Sequence, residues 1–137
     1  MFSKILLAVD TSPHSANAIE TATELARLSR GEVLVFHVRV YLPARGGQFD
    51  VDLGEEDSNI ADVVAERLQG AGIAATSSRV AAYHGDTAKE IVAAAQEQQT
   101  DVIVMGSRGH SDIPSLLLGS VTHKVLHLAT VPVLVVR

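Results

Sequence analysis

Two kinds of segment alternate along the chain, and that alternation limits the fold more than any other feature. Ile5-Leu6-Leu7-Ala8-Val9, Val33-Leu34-Val35-Phe36-His37-Val38, Val102-Ile103-Val104-Met105 and Val133-Leu134-Val135-Val136 are apolar almost without interruption. Runs this short, with no polar alternation, fit strands covered on both faces, as in a parallel sheet. Helical patterns lie between them. Ser12-Pro13 predicts an N-cap and a proline at the first helical position. Ala18, Ala22, Leu25 and Ala26 then share a face, Ile19 and Leu28 flank it, and Gly31 after Arg30 predicts the stop. A second helix, from about Glu55 to Gln69, would turn Ile60, Val63, Val64 and Leu68 inward and end at Gly70 and Gly72. A third, with Asp86 as N-cap, would bury Ile91, Val92 and Ala95, and a last one would run from Leu116 to Ala129. Residues Ile73 to Tyr83 read as the remaining strand, although alanine and serine have weak β preference. Tyr41 to Asp57, punctuated by Pro43, Gly46, Gly47 and Gly54, reads as a long, mobile connection. Strands and helices alternating in this way predict one domain over residues 1–137, a three-layer α/β/α sandwich around a five-stranded parallel sheet. The pattern alone leaves the strand order open.

Composition narrows the function classes. At 47% hydrophobic residues the chain can bury a core, and no apolar run nears the roughly 20 residues of a membrane span. Met1-Phe2-Ser3-Lys4 passes straight into a strand and lacks the parts of a signal peptide, and cysteine is absent, so a cytoplasmic protein is expected. A net charge of −5 argues against general binding to nucleic acid or an anionic membrane. An anion would have to be held locally.

The place for one is Gly106-Ser107-Arg108-Gly109, followed after nine residues by Gly119-Ser120. A buried strand runs directly into this loop. Glycines there permit positive φ and leave main-chain N–H groups open to a ligand, and the helix that follows offers early N–H groups and its dipole to a phosphate. The spacing Gly, two residues, Gly, nine residues, Gly-Ser resembles the nucleotide loop of the ATP-binding branch of the universal stress protein family. Asp101-Val102-Ile103-Val104-Met105-Gly106 before it and Val131-Pro132-Val133-Leu134-Val135-Val136 after it are similar to that family too, and only Pro43 to Asp57 has no family pattern.

The resemblance implies an adenine nucleotide alpha hydrolase-like fold with strand order 3-2-1-4-5, so that a crevice opens where the carboxyl ends of the first and fourth strands diverge. It implies ATP, with Mg²⁺ on its phosphates, as the ligand, and a regulatory role in stress response exercised through occupancy. Asp10 would meet the ribose, Ala8 would line the base pocket and Val38 would contact adenine through its main chain. Met105 and Gly106 would lie at the strand end. Arg108, Gly109, His110 and Ser111 would wrap the phosphates, and Gly119, Ser120 and Val121 would offer N–H groups and a hydroxyl. It also implies a homodimer paired through Val131 to Val136, an edge strand in that order.

Plainer readings stand beside these. Asp10 could simply cap the Ser12 turn, and Ala8 and Val38 suit the core of any α/β protein. His123 and His127, one turn apart, lack the glutamate and third ligand of a zinc site, and His37 suits a buried histidine held by a backbone carbonyl. No metal ligand or catalytic residue is assigned. The P-loop pattern with its lysine does not occur, and Gly109-His110-Ser111-Asp112-Ile113 lacks the final glycine of a nucleophile elbow. A slow ATP hydrolase or nucleotidyl-transfer enzyme, with Asp112 or His110 orienting a water, and a nucleotide-free interaction protein therefore stand as alternatives.

Overall fold

The computed structural model describes residues 1–44, 47–50, 59–109 and 118–137, of which 42–50 are described by their backbone. In chain order the elements are β1 (Lys4–Ala8), α1 (Ser15–Ser29), β2 (Glu32–Ala44), β3 (Gly47–Asp50), α2 (Ile60–Gly70), β4 (Ala75–Tyr83), α3 (Thr87–Glu97), β5 (Val102–Gly106), α4 (Ser120–Leu128) and β6 (Val133–Val136). Five strands pair in parallel in the order β4-β2-β1-β5-β6, which is the expected 3-2-1-4-5 once β3 is set aside.

The inner strands β1 and β5, and β2 from Val33 to Val38, are apolar on both sides because each side is covered. Ile5, Leu7, Val9, Val33 and Val35 meet α1 and α2 through Ala18, Ala22, Val64 and Leu68. Leu6, Phe36, Val38 and Ile103 meet α3 and α4 through Ala88, Ile91, Val92 and Val125. Ile5, Leu6 and Leu7 are all fully buried, and burial of such a side chain stabilises by about 1.5–3 kcal/mol. The alanine- and serine-rich β4 owes its extended form to context, since nine of its residues are in register with β2.

Several local expectations need correction. Tyr41 to Ala44 continue β2, and Gly47–Asp50 fold back on them as an antiparallel pair, so the expected connection is ordered strand at its start. Val33 to Phe36 pair with β1 on one edge and β4 on the other, whereas Tyr41 pairs with Tyr83 of β4 and Asp50 of β3. β3 therefore occupies the β1 side of β2, beyond the carboxyl end of β1. Residues 51–58, including the expected helix start at Glu55, lie outside the described residues.

On α2 the buried positions are Ala61, Val64, Ala65 and Leu68, a 3.6-residue face that leaves Val63 exposed. Leu28 is exposed on the last turn of α1. That helix begins at Ser15, so Ser12 and Pro13 belong to the turn before it. Asp86 does sit at the N-cap of α3, but without a side-chain capping bond; its carboxylate lies 3.6 Å from Lys89 Nζ.

The stop of α1 is made differently from the expectation. Arg30, with φ of 54°, is the left-handed residue, and Gly31 is needed for a different reason. A Cβ at Gly31 would lie 2.4 Å from the Phe2 carbonyl oxygen. Gly31→Ala should therefore lower stability by about 1–3 kcal/mol in urea unfolding, whereas Arg30→Gly should raise it by about 1 kcal/mol or less.

Candidate functional site

The carboxyl ends of β1 and β5 are neighbours, and their connections leave for opposite faces of the sheet: α1 follows β1 on one, α4 follows β5 on the other. That divergence opens a crevice. Asp10 stands on its β1 side. Its Oδ1 accepts hydrogen bonds from the Ser12 N–H (2.9 Å), the Ser12 hydroxyl (2.5 Å) and the Ser15 hydroxyl (2.8 Å). Ser12 and Ser15 are buried, so the carboxylate organises the turn into α1, as the plainer reading of Asp10 expected, and Ser12 is not the helix N-cap. Oδ2 faces the other wall, where a Cβ at Gly109 would come within 3.0 Å of it. One oxygen builds the turn and the other borders the crevice.

Close approach, not unusual dihedrals, explains the three glycines. None has positive φ; among the described glycines only Gly72 and Gly85 do. A Cβ at Gly106 would lie 3.2 Å from the His14 carbonyl oxygen. At Gly119 it would lie 3.3 Å from Arg108 Cα and 3.5 Å from the Gly109 nitrogen. Backbone thus packs on backbone where the β1 turn, the β5 loop and the start of α4 meet.

Gly119 is the N-cap of α4, so the helix starts later than the expected Leu116. Residues 110–117, with His110, Ser111 and Asp112 among them, lie outside the described residues. The Gly119 N–H donates to the Ser107 carbonyl at 2.7 Å, and the first intrahelical bond runs from His123 N–H to the Gly119 carbonyl. The N–H groups of Ser120, Val121 and Thr122 therefore have no partner within the helix, and its positive dipole end is directed here. Ser120 is exposed and Val121 half-buried.

Ala8 ends β1 and Met105 is the last residue but one of β5, and both pack towards the α3 and α4 layer. Val38 is buried there by its side chain, which leaves the backbone as its only group for a ligand. His37 behaves as the sequence suggests: it is buried, and its Nδ1 lies 2.9 Å from the Val9 carbonyl oxygen. His123 and His127 are exposed on α4, and no group of three metal-ligating side chains occurs among the described residues.

Two supports were missed. The buried Thr122 hydroxyl donates to the Gly106 carbonyl at 2.9 Å, pinning α4 to the end of β5. Ser107 is buried, and its N–H donates to the Val136 carbonyl at 2.7 Å. Thr122 follows Ser120 by two residues and a threonine early in a helix was a fair signal; nothing around Ser107 separates it from an ordinary loop serine. A cavity of about 470 Å³ lies elsewhere, at the amino ends of the strands beside Lys4, Glu32, Gln69 and Gln98, and contains none of these groups.

A model of the universal stress protein family matches residues 1–137. The chain belongs to that family. Universal stress protein YxiE of Bacillus subtilis is 34% identical to it over 151 aligned positions, covering 100% of both chains. The solved structure of MJ0577, a universal stress protein of Methanocaldococcus jannaschii, superposes with a TM-score of 0.82 at 27% identity, covering 99% of this chain and 96% of that one. The universal stress protein of Archaeoglobus fulgidus, solved in complex with dAMP, has a TM-score of 0.68 at 24% identity and full coverage of both chains.

Within this universal stress protein fold, the Asp10 turn is testable by stability alone. Asp10→Ala should cost about 2–3 kcal/mol in urea unfolding, because three donors lose a charged acceptor. Asp10→Asn should cost less than half of that, since an amide oxygen still accepts.

Proposed function

We propose that this universal stress protein binds an adenine nucleotide in the crevice between β1 and β5, that the ligand is ATP with Mg²⁺ on its phosphates, and that occupancy serves as a cytoplasmic signal in stress response. The observation that carries the reading is the convergence of bare backbone on one spot. The glycine loop after β5 lies against the N-terminus of α4, whose Ser120, Val121 and Thr122 N–H groups lack helical partners. Such groups suit phosphate oxygens. Asp10 Oδ2 stands just past the end of β1, and the Val38 backbone lies on β2 just beyond the last β1 pairing, where a ribose and a base would extend. The dAMP complex of the A. fulgidus relative agrees with an adenine ligand in this fold.

Calorimetry with Mg-ATP should show saturable binding. Gly119→Ala tests the phosphate side with little disturbance, since φ of −66° and ψ of 159° suit any residue. The added Cβ would lie 3.3 Å from Arg108 Cα and cover the approach to the Gly109 nitrogen, and it should weaken binding about tenfold, or about 1.4 kcal/mol. No heat of binding from the native chain would refute the reading.

The proposal includes a homodimer. β6 pairs with β5 alone among the described strands, which leaves an open edge, and Leu134 on it is exposed. Sedimentation should give a dimer at micromolar concentration and a monomer for Leu134→Arg. A native monomer under those conditions would exclude pairing through this strand.

A further inference from the structure

The ladder between β1 and β2 stops one bond early, and the His37 side chain stands at the stop. N–H and C=O of one strand residue point to the same edge, and the edge alternates from residue to residue. Phe36 faces β1, because its carbonyl accepts the Val9 N–H at 2.9 Å. Tyr41 faces β4, because its carbonyl accepts the His84 N–H at 2.9 Å. By the same alternation Val38 faces the β1 side. A continuing parallel ladder would join the Val38 N–H to the Val9 carbonyl, but the register ends at Ala8 and Phe36. The Val9 carbonyl is occupied instead by His37 Nδ1 at 2.9 Å. A carbonyl can only accept, so Nδ1 carries the proton.

We infer that His37 is a positioning residue for base recognition: by occupying the Val9 carbonyl it keeps the Val38 N–H and C=O out of the sheet and directed into the crevice. This inference rests on the nucleotide reading above. A strand residue with both groups open offers one donor and one acceptor side by side. The amino-pyrimidine edge of adenine offers the matching acceptor, a ring nitrogen, and donor, the exocyclic amine. Guanine presents a ring N–H and a carbonyl on that edge, so donor would face donor and acceptor would face acceptor. A site built on the Val38 backbone therefore selects the base without any polar side chain, and the Val38 side chain, buried among Leu6, Phe36 and Ala82, fixes the backbone in place. β3 lies on this same side of β2, starting its pairing at Tyr41, so the Val38 edge falls between the end of β1 and the end of β3.

Amide hydrogen exchange read by NMR tests the ladder stop in the native protein without any ligand. The Val38 amide should exchange faster than those of its strand neighbours Phe36 and His37, and saturating Mg-ATP should slow it. In His37→Val, the Val38 amide should close onto the Val9 carbonyl and become protected. ATP affinity should then fall about tenfold or more, and the preference for ATP over GTP should collapse, while affinity for inorganic tripolyphosphate stays unchanged. His37→Asn, whose side-chain amide can still donate to that carbonyl, should restore most of the preference. A Val38 amide as protected as its neighbours in the free native chain, or an unaltered ATP to GTP ratio in His37→Val, would overturn the inference. Should His37→Val fail to fold, the native exchange rates and the Asn variant decide the matter. Absence of ATP binding by the native chain would defeat the proposed function, and the exchange data would still show whether His37 ends the ladder.

Discussion

The structure depends on the position of β1. It is bonded in parallel on both edges, to β2 and to β5, and its three central residues are fully buried. Both helical layers rest on it, one on the side of Ile5 and Leu7, the other on the side of Leu6. Because the chain builds to one side of β1 first and to the other side later, helices must change faces there. The crevice is a consequence of that change, and Asp10, Gly106 and Gly109 lie at it because they are where the paired strands end.

Inside the crevice, rigidity comes from polar groups that serve the backbone. Asp10 Oδ1 takes three donors, Thr122 holds the Gly106 carbonyl, and Ser107 bonds both to Gly119 and to Val136. These bonds are partly or wholly removed from water, where each is worth more than at an exposed surface. The close approach of the loop to its surroundings makes Cβ atoms tight at Gly106 and Gly119, against backbone, and at Gly109, against the Asp10 carboxylate.

Elements whose identity depends on burial were legible in the sequence. The four apolar runs became strands, and Ile91, Val92 and Ala95 became the inner face of α3, because burial on both faces or on one stripe leaves a periodic mark. Features settled by local polar chemistry were misplaced. Ser12-Pro13 has the composition of a helix start, yet it lies in the turn that Asp10 caps, a reading the sequence also allowed, and the helix begins at Ser15. Gly31 has the composition of a left-handed cap, yet Arg30 takes that conformation, because what Gly31 avoids is the Phe2 carbonyl, a contact from far along the chain. Val63 and Leu28 are apolar but exposed, and a hydrophobicity pattern has no means of removing them from a core list. The extension of β2 and its pairing with β3 were hidden because Pro43 and the glycines around it look like turn residues, and only the register with Tyr83 and Asp50 shows otherwise. At the candidate site, spacing singled out the three glycines that the structure shows in close-packed surroundings. The work of Thr122 and Ser107 depends on partners distant in sequence, and no local pattern carries that.

The Ser107 N–H is bonded to the Val136 carbonyl, and the Arg137 carbonyl accepts from the Asn17 side chain at 2.9 Å. The final residues of the chain are thus a tether for the glycine loop and not a loose end. Because Gly106 is also paired with Val136, the loop and the outer margin of the sheet share one hydrogen-bonded ladder, and a change in the seating of the last strand is a change in the footing of the loop.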